Sequence, residues 1–156
     1  MARPSAALLA ELKQSRPFRS PAEETLVGLL HTADVVRRRA EAVVFPHGMT
    51  SQQYNVLRIL RGAGKAGLPT LDIVDRMVEQ APGITRLINT LEKNGWVRRE
   101  RGEDDRRVVR CHILPAGLKL LEKLDPLVLA FVEKTLGPLS RAEQLKLTEL
   151  LDRMRG

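Results

Sequence analysis

Apolar residues recur along this chain at two different periods, and the places where the period changes outline its plan. From residue 21, Leu26, Leu29, Leu30, Ala33, Val36, Ala40, Val43 and Val44 keep the three-four spacing of one buried helical stripe. Pro21 suits the first helical position, with Ser20 as its N-cap. Glu23 and Glu24 lie at the positive end of the helix dipole, and Pro46 and Gly48 end the segment. Residues 1–20 read as an arm: residues 6–12 have the makings of a short helix, and Pro17 and Pro21 then break the chain. Thr50 and Gln53 have the spacing of a capping box, opening a helix whose apolar side is Tyr54, Val56, Leu57, Ile59 and Leu60. The turn-rich run 61–65 stops it. Thr70 is the expected N-cap of a short helix over residues 71–78. Pro82 opens another that runs to about Asn94, with Gly95 as its stop.

The period then shortens to two. Residues 96–100 and 108–113 are strand-like, separated by the polar run 101–107. Two short helices joined by a tight connection and followed by a β-hairpin have the layout of a winged helix. Beyond Pro115 the pattern is helical again, with Leu118, Leu120, Leu121 and Leu124. Pro126 is expected to kink or break this helix before the apolar run 127–136. Gly137-Pro138 makes a turn, and Ser140 with Glu143 forms a second capping box. The helix that follows carries Leu147, Leu150, Leu151 and Met154 on one side. The fold class expected is mainly α with a small β-hairpin wing, a winged helix-turn-helix over residues 50–114. An N-terminal arm (1–20) and outer helices (21–46 and 115–156) flank it.

Composition narrows what such a fold can do. Aromatics are only 3% of the chain, so aliphatic side chains must fill the core. A net charge of +7 favours a polyanionic partner. The single cysteine, Cys111, excludes an internal disulfide and the cysteine-rich zinc modules; alternation places it in the second wing strand as a packed, inert thiol. His31, His47 and His112 lack metal-ligand spacing, so no metal is expected. No apolar run approaches a membrane span, and no secretion signal is apparent, which makes the cytoplasm the expected compartment. No phosphate-binding glycine loop, zinc-protease helix or nucleophile elbow occurs. Neither a catalytic residue nor a cofactor is expected, and the chain does not read as an enzyme.

The candidate chemistry lies on the helix after Pro82 and on the hairpin. Ile84, Leu87, Ile88 and Leu91 occupy one face of that helix, which turns Thr85, Arg86, Asn89 and Lys93 outward as donors and acceptors for base edges and phosphates. Gly83, at the helix start, leaves room for a close approach and for a phosphate on backbone N–H groups. The hairpin holds Arg98, Arg99, Arg101, Arg106, Arg107 and Arg110, which alternation divides between two faces. Arg106 and Arg107 at its tip are placed to enter a minor groove. Asp104 and Asp105 cap the turn or hold an arginine in position. With Arg99 added, the candidate DNA contacts are Gly83, Thr85, Arg86, Asn89, Lys93, Arg99, Arg106 and Arg107.

The runs "TSQQYNVLRIL", "ITRLINTLEKNGWVRRERGEDDRR" and "ILPAG" resemble the multiple-antibiotic-resistance regulator (MarR) family between residues 50 and 117. The resemblance implies a homodimer with interlocked terminal helices, binding double-stranded DNA through a recognition helix carrying Thr85 and Arg86. It also implies a wing in which Asp105 and Arg107 match the family's Asp and minor-groove Arg. A small aromatic or anionic effector between the dimer helices and the DNA-binding lobe is implied too, with His31, Arg38 and Tyr54 as candidate contacts. The chain departs from the family at Asn89-Thr90, where an acidic residue followed by arginine is frequent, and at Leu114, where threonine often caps the next helix. Such a dimer reads a pseudo-palindromic operator, and repression is the usual outcome of covering a promoter. The competing readings are a winged-helix module for protein contacts and one for RNA.

Overall fold

The structure is a computed structural model that describes residues 6–80, 82–101 and 108–156. Its elements run α1 (Ala6–Glu11), α2 (Pro21–Val44), α3 (Ser51–Ala63), β1 (Leu68–Pro69), α4 (Thr70–Arg76), α5 (Ile84–Lys93), β2 (Val97–Arg101), β3 (Val109–Ile113), α6 (Pro115–Leu136) and α7 (Arg141–Arg155). One-turn 3-10 segments follow α2 and α3, at Phe45–His47 and Gly64–Ala66. The fold is mostly helical with a small antiparallel sheet, as the sequence pattern implies. The chain divides into two units, Met1–Arg39 and Ala40–Gly156.

In the first unit, the Ser20 hydroxyl accepts a hydrogen bond from the Glu23 N–H at 3.2 Å, the cap expected for α2. Leu8 of α1 comes within 3.4 Å of where a Cβ on Gly28 would lie, and His31 Nε2 is 3.0 Å from Glu11 Oε2. The stripe on α2 is unevenly buried. Leu26 is 52% and Leu30 63% exposed, whereas Val44, at the far end of α2 and in the second unit, is 2% exposed. The apolar periodicity therefore identified the helix correctly, while Leu26 and Leu30 stay largely exposed.

The second unit is built around α3. Its buried residues Val56, Leu57 and Leu60 meet α4, α5, α6 and β3, and the core continues through Ile73, Ile88, Leu91, Val97, Cys111, Leu121 and Leu124. Thr50 caps α3 with the full capping box: its hydroxyl accepts from the Gln53 N–H, and the Gln53 side chain accepts from the Thr50 N–H. Ser140 and Glu143 repeat the device on α7. The sheet has the order β1-β3-β2, so the hairpin gains a third, two-residue strand in which Leu68 lies opposite Cys111 and Pro69 opposite Arg110. A two-residue strand has no readable period, which is why the sequence pattern gives only two.

Two further expectations are revised, and the one for Leu114 holds. Thr70 is the first residue of α4, after Pro69, rather than its cap. Its hydroxyl instead turns to the sheet, 3.4 Å from the Val109 carbonyl and 3.8 Å from Cys111 Sγ. Pro126 does not break the C-terminal region, because α6 runs unbroken from Pro115 to Leu136 with the proline inside it. Leu114 caps α6 without any side-chain bond. The helix is held there by its neighbours instead: the Leu114 N–H donates to the Trp96 carbonyl at 2.8 Å, and a Cβ on Gly117 would stand 2.6 Å from that same oxygen. Farther along α6, Asp125 accepts both arms of the Arg61 guanidinium, at 2.8 and 3.1 Å, which ties α6 to α3.

Candidate nucleic-acid interface

Helix α5 starts two residues later than the sequence suggests. Gly83 is its N-cap, at φ 91° and ψ 31°, with no side-chain cap. That left-handed conformation favours glycine, and nothing lies within 4 Å of where a Cβ would be, so the backbone is open on that side. At the other end Gly95 makes the expected stop: the Gly95 N–H bonds the Glu92 carbonyl and the Trp96 N–H bonds the Leu91 carbonyl. Ile88 and Leu91 are fully buried, and Ile84 and Leu87 pack on the core beside them. The opposite face is set by this burial. Thr85, Arg86, Asn89 and Lys93 are all exposed, and neither Arg86 nor Lys93 has a carboxylate partner among the described residues.

The hairpin follows within three residues of α5. Val97 pairs with Ile113, Arg99 with Cys111 and Arg101 with Val109, which puts these side chains on one face; Arg98, Glu100, Arg110 and His112 take the other. On the second face Arg98 and His112 flank Glu100, at 2.7 and 3.5 Å. Arg101 is exposed at the outer end of β2. Arg99 shares its face with the buried Cys111, and it does not stand free. Its Nε and Nη2 donate to Glu92 Oε2 at 2.9 and 2.5 Å, and its backbone N–H donates to Glu92 Oε1 at 3.0 Å. These bonds hold the Glu92 carboxyl below the usual carboxylate range and raise Arg99. The expected tip residues, Asp104, Asp105, Arg106 and Arg107, lie outside the described residues.

Sequence reasoning thus locates the outward row on α5, whereas it misses the Glu92–Arg99 pair. The available signal was a single carboxylate, Glu92, one position after the buried Leu91 and seven before an arginine on a core-facing strand position.

The remaining candidates make contacts within their own units. His31 meets Glu11, and Arg38 meets Asp34 at 2.9 Å, both within the first unit. Tyr54 belongs to the second unit, half-buried, with the Arg58 guanidinium 6.0 Å above its ring. A cleft of about 560 Å³ lies in the second unit, walled by Pro69, Leu71, Thr85, Ile88, Arg99 and Val109 among others, and none of those three candidates lines it. Cys111 is buried, and burial pushes its thiol up from the usual value. No cluster of metal-ligating side chains occurs among the described residues, and no described helix is long and apolar enough to cross a membrane.

The MarR family model matches residues 49–109. The chain is 32% identical over 106 residues to the uncharacterized HTH-type transcriptional regulator YwoH of Bacillus subtilis (strain 168), covering 68% of this chain and 75% of that one. Among solved structures it is similar to a MarR transcription factor from Planctomyces limnophilus, with a TM-score of 0.68 and 38% identity over 86% of this chain and 98% of the other. A mutant MarR from E. coli complexed with operator DNA has the same fold, with a TM-score of 0.75 and 23% identity over 83% of this chain and 93% of that one.

Proposed function

The chain belongs to the MarR family of helix-turn-helix transcriptional regulators, and from that premise we propose that it is a sequence-specific DNA-binding regulator acting as a homodimer. One observation carries the reading. A helix buried along one face by Ile88 and Leu91 turns Thr85, Arg86, Asn89 and Lys93 to solvent, directly beside an arginine-rich hairpin. In each half-site α5 reads base edges in the major groove, and Arg106 and Arg107 of the hairpin enter the neighbouring minor groove. Gly83 brings backbone close to a phosphate. Two copies place their α5 helices about 34–36 Å apart on one side of the duplex, so the operator is a pseudo-palindrome. Covering a promoter in this way represses it, in the cytoplasm, and a small aromatic or anionic effector that favours a different spacing of the two lobes releases the DNA. His31, Arg38 and Tyr54 stay the candidate contacts for that effector. The membership is also the reason to read the chain as a regulator rather than an enzyme.

The test is selection of duplexes from a random-sequence library by the purified protein, followed by anisotropy titration of the enriched duplex. A pseudo-palindromic site is expected, with affinity falling steeply as salt rises. Arg86→Ala and Arg107→Ala should each weaken binding by about tenfold or more, the scale of a lost groove contact. Absence of any enriched duplex, or a preference for structured RNA, would overturn the proposal.

A further inference from the structure

We propose that Glu92 is a positioning residue for DNA recognition, fixing the angle between α5 and the wing by holding Arg99 at both its backbone and its guanidinium. The inference rests on the DNA-binding reading above and adds a specificity determinant that itself touches no DNA.

Strand β2 is the edge of the sheet, since the order is β1-β3-β2. Alternate backbone N–H groups of an edge strand point away from its partner and need another acceptor. Arg99 has such an N–H, and Glu92 Oε1 receives it at 3.0 Å. The same carboxylate takes the Arg99 fork on Oε2, at 2.9 and 2.5 Å. Both side chains are 35% exposed, so the pair is partly shielded from water. Three charge-assisted bonds with mutually fixed directions define a geometry in a way that a single ion pair cannot. One end of this geometry is the last turn of α5, one residue from Lys93. The other lies two residues before Arg101, where the hairpin leaves the core. The chain between them turns at Gly95, whose φ is 71°. Val97 and Cys111 anchor the base of the hairpin in the core, while the exposed outer edge of β2 lies beyond that anchor. The Glu92–Arg99 bonds tie that outer edge to the last turn of α5.

Charge alone predicts the opposite effect of removing Glu92. A carboxylate beside a DNA-facing surface repels phosphate, so deleting its charge should strengthen binding to any duplex. A positioning role predicts that the selected duplex is bound more weakly while a scrambled duplex is bound as well as before or better. The experiment uses the full chain, the duplex enriched by wild-type protein and a scrambled duplex of equal length. Glu92→Gln should lower affinity for the enriched duplex by about tenfold, the scale of a coupled pair, and should not lower affinity for the scrambled one. Adding Glu92→Gln to Arg99→Ala should cost less on the enriched duplex than Glu92→Gln does alone, since only the bond to the backbone N–H of residue 99 is left to change. Glu92→Asp keeps the charge but is one methylene too short for both sets of bonds, and it should fall between wild type and Glu92→Gln. It carries the test if the Gln variant folds poorly. A variant that merely folds less well loses affinity for both duplexes in the same ratio. Equal or tighter binding of Glu92→Gln to the enriched duplex, an unchanged ratio between the two duplexes, or additive losses in the double variant would each overturn the proposal. Should wild type enrich no duplex, the DNA-binding reading itself fails, which is a separate result.

Discussion

At the scale of single residues, the geometry around two small side chains makes definite demands. Gly83 sits in a left-handed conformation with open space where a side chain would go. Gly83→Ala therefore meets backbone strain and no clash. The expected loss is about 1–2 kcal/mol of stability, read as a lower urea midpoint with an unchanged m-value. Cys111 is buried beside the Thr70 hydroxyl, and burial pushes its thiol up, so at neutral pH little thiolate forms. Native protein should resist iodoacetamide at pH 7.5 and become alkylated at one site once urea unfolds it. Rapid labelling of the folded protein would contradict the packing described.

At the scale of elements, the contact between α3 and α6 has a pH signature. The Asp125 carboxyl is held below its ordinary value, first of all by the Arg61 hydrogen bond. Its unfolded value is about 3.9. Stability from this pair is therefore fully present above that pH and is lost as pH falls through the lower, folded value. Asp125→Asn should cost at most about 1 kcal/mol near neutrality, since both groups are partly exposed. The gap in urea midpoint between the variant and wild type should close in acid. Gly117 is the second element-scale site. A methyl group there would meet the Trp96 carbonyl at 2.6 Å, so Gly117→Ala should lower stability by about 1–3 kcal/mol, measured by thermal or urea unfolding. Elements with long periods and explicit caps were legible in the sequence: α2 from its stripe, α3 and α7 from their capping boxes, α5 from its apolar face. Other features were not. Strand β1 is too short to show a period. Thr70 has the chemistry of a cap but is drawn into the sheet. The pairings Glu92–Arg99 and Arg61–Asp125 join elements whose approach is fixed only by tertiary packing. The unbroken course of α6 through Pro126 belongs with these, because the missing N–H removes one hydrogen bond from a helix that its neighbours already hold.

At the scale of the whole molecule, apolar side chains remain open on both the early and the late helices. Leu26 and Leu30 on α2 are more than half exposed, as are Leu145 and Met154 on α7. A monomer seldom leaves so much aliphatic surface in water. Sedimentation equilibrium at micromolar concentration should give twice the mass of one chain. Leu30→Glu and Leu145→Glu should each shift that equilibrium toward monomer and weaken operator binding along with it. A wild-type monomer at that concentration would contradict the dimer reading.

The uncapped start of α5 has a dynamic consequence. The N–H groups of Ile84, Thr85 and Arg86 precede the first intrahelical bond, in which the Leu87 N–H reaches the Gly83 carbonyl. The helix is thus clamped at its tail and unlatched at its head. Deuterium should enter these three amides within seconds while Leu91, deep in the core, stays protected for far longer. Contact with phosphate oxygens would slow the leading three, so a helix partly frayed in the free protein would complete its first turn on the duplex it reads.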